Sequence, residues 1–407
     1  MKTTIFYVLS FLSFIALNAC KPEIQFKESS YTSPYDFNQQ IEDQLAQDSL
    51  AWKHQIAAAK YASKGAYQKA LLAWDKAFPR RPFDYTQEVV DSLQQHFKIA
   101  NATEQLLKEA AQHDILIINE AHHNALHRNY TKRLLSKLKK LGYKHLFLEA
   151  LTNGSKKDSL LVSRGYPILT SGWYLKDPQF GNLVREALSL GFKVWPYEQT
   201  TNKNGKEREI EQAKNIQRIL KKFPNEKVVI HCGFDHVFEG AHRKWEMAMA
   251  ARLKAYTGSD PLTVHQVVYS EHGNPKFNHP LVKKFAKNTA ALLVDKSTQK
   301  AIPYRRRNAF TDLAIIHPKT TYVHQRPSWL FSDKYQAIRI EHSKSQLSYP
   351  ILVHAFYKNE MGAQAIPVDL MEISNVDTPC FLALPKGTYT LVLSSATSVK
   401  ETTITVP

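Results

Sequence analysis

Cysteine is scarce in this chain, and several familiar catalytic signatures are missing from it. The 407 residues include only three cysteines, Cys20, Cys232 and Cys380, which are too few for a disulfide framework. The chain contains neither a His-Glu-x-x-His zinc motif nor a Gly-x-Ser-x-Gly nucleophile elbow. We therefore expect a fold held together without disulfides, and chemistry that does not pass through an acyl-serine intermediate.

A recognition motif for nucleic acid is also missing, although the formal net charge is +17 at pH 7. The lysines and arginines are scattered over polar helix faces, with no basic stretch interleaved with aromatic residues. The charge run Arg305–Arg307 is typical of a solvated loop. We expect no nucleic-acid partner, which leaves an anionic membrane surface or an acidic ligand as the partner of this charge.

The N-terminus has the pattern of a targeting segment. An apolar run over residues 5–17 is too short to cross a membrane, and it ends in Leu17-Asn18-Ala19-Cys20. This segment resembles a bacterial lipoprotein signal, which implies removal of residues 1–19, a lipid on Cys20 and a place in the bacterial cell envelope. The alternative is an ordinary secretory peptide with an incidental cysteine. Residues 20–36 are predicted to be a polar tether.

Residues 113–320 alternate short apolar runs with helical segments, which predicts an α/β domain with a mostly parallel sheet flanked by helices. Four predicted strands end in an acid or an imidazole: Ile115–Ile118, Lys144–Leu148, Lys193–Tyr197 and Lys227–Ile230. In open parallel sheets, ligands bind outside the carboxyl ends of the strands. We therefore predict one site lined by the residues that follow these strands, Glu120, His122 or His123, Glu149, Glu198 and His236.

The segments on either side of this domain differ from it in pattern. Residues 37–112 are predicted to be helical, with one hairpin that resembles a tetratricopeptide repeat between Tyr61 and Pro82. Residues 321–407 show short alternating segments, which predict a small antiparallel β domain. Either segment could cover the central domain or bind a protein partner.

Three motifs resemble one superfamily, over roughly Gln112 to Pro318. They are Asn119-Glu120-Ala121-His122-His123, Phe147-Leu148-Glu149 and Gly233-Phe234-Asp235-His236. The superfamily joins erythromycin esterases, ChaN-like haem-binding lipoproteins and Tiki/TraB metalloproteases. His122 fits the ChaN-like spacing and His123 the esterase spacing, and Arg208-Glu209 is similar to an esterase pair. Asn119 stands where the family has glycine, and Gly233 stands where the esterase motif has its first histidine.

The same residues favour hydrolysis of an ester or amide in a small molecule or peptide. A histidine oriented by a buried carboxylate can take a proton from water, and this predicts His122 or His123 as the base and Glu149 as its partner. His236 and Arg208 would stabilise the developing negative charge. Four further residues are expected to bind the substrate: Glu198, Glu209, Trp173 and Tyr174.

Other functions use the same residues. Glu120, His122 and His236 could hold a divalent metal with an open position for water. The ChaN-like resemblance implies haem binding at an apolar cleft with an axial ligand. A third possibility is a scaffold without activity or cofactor, which would bind protein partners through the helical hairpin or the C-terminal β domain.

Overall fold

The computed structural model describes residues 25–360, 362 and 364–407. The predicted signal peptide and the lipidation site Cys20 lie outside the described residues. Among those that are described, none of the helices combines the length and apolar character needed to cross a bilayer.

The described residues form eleven α-helices and twenty β-strands. The helices are α1 (Asn38–Gln47), α2 (Lys53–Ser63), α3 (Tyr67–Ala77), α4 (Gln87–His96), α5 (Ala102–Ala110), α6 (Ala125–Lys140), α7 (Leu161–Arg164), α8 (Pro178–Ser189), α9 (Lys206–Leu220), α10 (Met249–Thr257) and α11 (Pro280–Phe285). The strands are β1 (Lys27–Glu28), β2 (Phe97–Asn101), β3 (Ile115–Glu120), β4 (Tyr143–Leu148), β5 (Lys193–Pro196), β6 (Lys227–Gly233), β7 (Glu239–Gly240), β8 (Leu262–Tyr269), β9 (Ala291–Asp295), β10 (Tyr304–Arg306), β11 (Ala309–Thr311), β12 (Leu313–Ile316), β13 (Tyr322–Val323), β14 (Arg326–Pro327), β15 (Gln336–Ile340), β16 (Ile351–Tyr357), β17 (Asp369–Ile373), β18 (Cys380–Leu384), β19 (Gly387–Ser394) and β20 (Val399–Val406).

An eight-stranded mixed sheet forms the centre of the molecule, in the order β2-β9-β12-β8-β3-β6-β4-β5. The six strands from β12 to β5 pair in parallel, whereas β9 pairs antiparallel with both β12 and β2. Every residue of β3 is buried, as expected for a central strand covered on both faces. The predicted α/β class with a large, mostly parallel sheet and smaller antiparallel sheets is confirmed.

The C-terminal residues form a five-stranded antiparallel sheet in the order β1-β20-β19-β16-β17. Its edge strand β1 comes from the segment predicted to be a solvated tether, and Lys27 pairs with Glu401 in β20. Tyr31 and Tyr35 are only 7% and 5% exposed. The tether prediction is therefore wrong for residues 25–36, because these aromatic side chains pack on β16, β17 and β19 and are not solvated.

Helices α2 and α3 pack together through small side chains such as Ala58, Ala62 and Ala70. The turn between them lies against β17. Gly65 has φ +77°, and a Cβ there would be 2.4 Å from the carbonyl oxygen of Leu370. Glycine is required at this turn both for its backbone conformation and for its close approach to the sheet.

Two predicted helix boundaries are wrong. The sequence pattern over residues 242–255 predicts one helix, but α10 begins only at Met249, because residues 242–246 form a tight turn closed by the hydrogen bond from His242 N to Glu246 O. The pattern over residues 86–99 also predicts one helix, but α4 ends at His96 and the next residues pair with β9. A local turn overrides helical propensity in the first case, and pairing with a distant strand overrides it in the second.

Candidate active site

The polar residues that follow four strands meet at one edge of the sheet. β3, β6, β4 and β5 are consecutive neighbours and run in parallel, so their carboxyl ends lie side by side. Within this group Glu120 is opposite Gly233, and the backbone N–H of Gly233 donates to Glu149 Oε2 at 2.5 Å. Residues far apart in the sequence therefore share a single site.

Glu120 lies at the floor of this site, 1% exposed, and is surrounded by hydrogen-bond donors. Arg128 donates from Nε and Nη2 to its two oxygens at 2.7 Å each. His122 Nδ1 is 2.8 Å from Oε1, and His231 Nε2 is 2.9 Å from Oε2. Burial opposes ionisation of Glu120, but Arg128 and these hydrogen bonds outweigh it and hold its pKa well below the usual range.

His122 is oriented from two sides. The hydrogen bond to Glu120 fixes its Nδ1, and the ring of Tyr174 stacks on it at 4.0 Å between centroids. A Cβ built on Gly233 would lie 2.5 Å from His122 Nε2 and 3.3 Å from Glu149 Oε2. Gly233 has φ −84°, so glycine is needed here for space rather than for backbone conformation.

Glu149, Arg208 and Glu198 form a charged row beside His122. Arg208 Nη2 donates to Glu149 Oε1 at 2.7 Å, and Arg208 Nε donates to Glu198 Oε1 at 3.0 Å. Burial of Glu149 opposes its ionisation, but the charges of His236 and Arg208 lower its pKa to about 2. The carboxylate of Glu149 is therefore ionised at neutral pH.

His236 and Glu209 lie behind this row. His236 Nδ1 is 2.8 Å from Glu209, and its Nε2 is 3.5 Å from Glu149 Oε1. Burial disfavours the imidazolium, but Glu149 and Glu209 outweigh it and raise the pKa of His236. Glu209 is fully buried behind the cleft lining, where it contacts His236 and also accepts from the backbone N–H of Met249.

His123 has a different environment from His122. It is 6% exposed, its ring stacks on Trp74 at 4.0 Å, and no partner is found for its Nδ1 among the described residues. Burial, together with the charge of His122, holds the pKa of His123 well below its usual value. Of the two candidate bases, His122 is therefore the one that is hydrogen-bonded to a carboxylate. Its partner is Glu120 rather than the predicted Glu149.

An open cleft of about 900 Å³ gives access to these groups. His122, His123, Glu149, Glu198 and Arg208 line it, whereas Glu120, Glu209 and His236 stand behind the lining. Trp173, which was expected to bind the substrate, is 61% exposed at the cleft, with Tyr174 beside it. The cleft thus brings together the two candidate bases, the neighbouring carboxylates and these two aromatic residues.

Sequence reasoning missed four residues of the site. Arg128 also donates to Asp177 Oδ2 at 2.5 Å, so one buried guanidinium serves two carboxylates. His231 lies inside β6 and Trp74 lies in α3, and the sequence pattern assigns neither of them to the site. The contacts of Arg128, Asp177, His231 and Trp74 depend on the tertiary fold, so no local pattern indicates them.

The residues present do not fit the metal site that was considered. Both oxygens of Glu120 are already bound by Arg128 and two imidazoles. In the part of the chain that the structure describes, no group of three or more His, Cys, Asp or Glu is arranged to hold a metal ion. A guanidinium at the centre of the cluster opposes the binding of a cation.

A haem does not fit at His122 either. An axial histidine binds iron through a ring nitrogen with open space in front of it. The Gly233 backbone lies against His122 Nε2, where a Cβ would be only 2.5 Å away, and Tyr174 covers a face of the ring. Since Nδ1 is bound to Glu120, only Nε2 could bind iron, and the Gly233 backbone and the Tyr174 ring crowd that side of the imidazole.

No family model matches the chain, and no curated protein matches it. Among solved structures, the type III effector HopBA1 aligns at 12% identity over 44% of this chain and 91% of that one, with a TM-score of 0.32. RRSP, a MARTX toxin effector domain from Vibrio vulnificus CMCP6, aligns at 18% identity over 53% of this chain and 45% of that one, with a TM-score of 0.29. A structure described as bacterial protein toxins aligns at 17% identity over 51% of this chain and 46% of that one, with a TM-score of 0.32. This chain thus spans less than half the length of the last two, and likenesses of this size carry no functional argument.

Proposed function

We propose that this protein is a hydrolase that attacks an ester or amide with a water molecule activated by His122. The observation that supports the proposal most is the pair formed by His122 Nδ1 and Glu120 Oε1 at 2.8 Å, with His122 lining an open cleft. A carboxylate on one ring nitrogen fixes the tautomer and makes the other nitrogen a better proton acceptor. Within the described part of the chain His123 has no carboxylate partner, and we assign it to the aromatic lining beside Trp74.

In the proposed reaction, His122 Nε2 takes a proton from water as the oxygen attacks the carbonyl carbon. The tetrahedral intermediate then collapses, the bond to the leaving oxygen or nitrogen breaks, and the leaving group takes the proton from His122. Glu120 and Glu149 are both ionised, so they stabilise the imidazolium formed between these two steps. Such a base contributes about two to four orders of magnitude in rate.

Arg208 is the group proposed to stabilise the oxyanion. Its side chain is 28% exposed, lines the cleft and is held in place by Glu149 and Glu198. His236 is a positioning residue in this scheme, because its Nε2 lies 3.2 Å from Arg208 Nη1 and it does not reach the cleft. A preorganised cation near the developing charge acts without reorganisation during the reaction.

The proposal is tested by assaying the purified full chain on p-nitrophenyl acetate and p-nitroacetanilide. We expect steady release of the chromophore from the first instant, without a burst, because direct attack by water leaves no covalent acyl-enzyme. A burst would show a covalent intermediate and contradict the mechanism. Absence of any turnover would contradict the function and favour a scaffold, and a Soret band in the same sample would favour haem binding.

We also propose that the protein is anchored by a lipid on Cys20 in the bacterial cell envelope. The support is the sequence Leu17-Asn18-Ala19-Cys20 after an apolar run. Mass spectrometry of the protein from membranes should find an N-terminal Cys20 carrying acyl chains. A Cys20→Ser variant should lack this mass and leave the membrane fraction, whereas an unmodified N-terminus at another residue would refute the anchor.

A further inference from the structure

The lining of the cleft combines aromatic side chains with uncharged polar ones. Its apolar surface is mainly aromatic, from Trp74, Trp173, Tyr174 and Phe234, with little aliphatic surface besides Leu151. Neutral hydrogen-bonding side chains contribute much of the remainder, including Gln55, Thr152, Asn153, Ser155, Gln199 and Asn202. Such a lining offers flat apolar faces and many uncharged donors and acceptors, which suits a ligand that has both apolar faces and hydroxyl groups.

Trp173 is displayed by a rigid turn. The backbone N–H of Thr152 donates to Ser171 O at 2.8 Å, and that of Ile168 donates to Ser171 Oγ at 2.8 Å. A Cβ on Gly172 would lie 2.0 Å from the carbonyl oxygen of Ala150, so this turn is pressed against the end of β4. A large aromatic side chain left 61% exposed on such a support is preorganised to stack on a ligand.

The charges around the cleft argue against an anionic ligand. Glu149 and Glu198 both line it and already engage Arg208. Apart from the histidines, Lys156 is the one remaining cation among the lining residues that the structure describes. A phosphate or carboxylate group would therefore meet two fixed negative charges and one exposed lysine.

We propose that the substrate of this site is an acylated neutral carbohydrate, with a sugar ring stacked on Trp173 and its ester or amide group placed at His122. This inference rests on the proposed hydrolase function and names its substrate class. The ring's apolar face would pack on the indole, of which Lys176 Nζ covers one side at 4.6 Å from the ring centroid. Hydroxyl groups would bind neutral polar side chains of the lining such as Gln55 and Asn202.

The test is calorimetric titration of the full chain with cellotetraose, chitotetraose and xylotetraose, and with AMP as an anionic, stacking competitor. We expect at least one saccharide to bind with a Kd below about 1 mM and AMP to bind more weakly. The Trp173→Ala variant should lose at least about tenfold in affinity, as expected for removal of a stacking surface. The matched control is Phe83→Ala, since Phe83 is a 51% exposed aromatic residue outside the cleft lining.

The two proposals fail in different ways in these experiments. If none of the saccharides binds, if AMP binds more tightly than they do, or if Trp173→Ala and Phe83→Ala bind alike, the carbohydrate inference is overturned while ester hydrolysis is unaffected. If a saccharide binds through Trp173 but the chain hydrolyses neither aryl substrates nor an acetylated form of that saccharide, the hydrolase function is overturned and the substrate assignment falls with it.

Discussion

Replacing His122 by alanine is expected to lower kcat/KM for p-nitrophenyl acetate by about two to four orders of magnitude, the usual contribution of a general base. The free energy of unfolding should change by less than about 3 kcal/mol, because only one hydrogen bond to a charged group is lost. Glu120 keeps its two bonds from Arg128 and the one from His231. Steady-state kinetics and urea unfolding measure the two effects on the same sample.

Two comparisons make this result specific. His96→Ala is the matched control, since the His96 side chain is exposed and contacts Ser92 in its own helix, and it should leave kcat/KM unchanged. His123→Ala should reduce kcat/KM by less than His122→Ala does, because no carboxylate among the described residues is hydrogen-bonded to His123. The reverse order would assign the base to His123 and refute the role given to His122.

Gly233→Ala probes the same base without altering any charged group. The added Cβ would lie 2.5 Å from His122 Nε2, so the imidazole has to move away from the site. We expect kcat to fall by at least about tenfold, since displacements of about 1 Å in a catalytic group have effects of this size or larger. Full activity in a folded Gly233→Ala protein would show that His122 does not act from the position described.

Replacing Arg128 by methionine is expected to destabilise the fold by about 3–5 kcal/mol at pH 7, because it leaves two buried carboxylates without their cation. Arg128 is 1% exposed and donates to both Glu120 and Asp177. Adding Glu120→Gln and Asp177→Asn to this variant should restore much of the stability, since the unpaired charges are then gone. Chemical denaturation of the wild type, the Arg128→Met variant and the triple variant measures their free energies of unfolding.

The effect of pH on the Arg128→Met variant follows from the same charges. In the native protein the pKa of Glu120 is lowered, so its stabilising contribution is present above the unfolded pKa and is lost as the pH falls through the folded pKa. Without Arg128, protonation of Glu120 and Asp177 removes two unpaired negative charges from the folded state and so stabilises it. The difference in the free energy of unfolding between wild type and the variant should therefore decrease as the pH falls below about 5.

A surface ion pair supplies the control for this prediction. Arg306 is 44% exposed and pairs with Asp235, so Arg306→Met should cost no more than about 1 kcal/mol. An Arg128→Met protein as stable as the Arg306→Met protein would show that Glu120 and Asp177 are not held as ionised, buried groups.

Much of the site was predictable because the end of a strand can be identified from the local sequence. The apolar runs before Glu120, Glu149, Glu198 and His231 are short and are followed by polar residues, and the runs before Glu120 and His231 are also rich in β-branched residues. Parallel strands place such ends along one edge, so a shared site followed from the pattern. The cap of α6 was also predictable, since the Asn124 side chain accepts from the backbone N–H of Leu126 at 3.2 Å.

Other features could not be derived from the pattern. Asn119 connects β3 to neighbouring segments by donating to Phe234 O at 2.7 Å and accepting from the backbone N–H of Gln266 at 2.7 Å. Residues 25–36 look like a tether by composition, yet they pack on strands more than three hundred residues further along the chain. Local periodicity predicts neither the hydrogen bonds of Asn119 nor the packing of residues 25–36, because their partners are distant in the sequence.

The sequence by itself determined that this chain forms an α/β domain whose strands deliver carboxylates and imidazoles to one sheet edge, because hydrophobic period and strand-end polarity are local properties. Only the tertiary structure decided that β6 lies between β3 and β4, that Glu120 rather than Glu149 orients His122, and that Arg128 neutralises the buried acids. Those outcomes depend on lateral strand order and on distances of a few ångströms between separate elements, and both are set when the whole core packs.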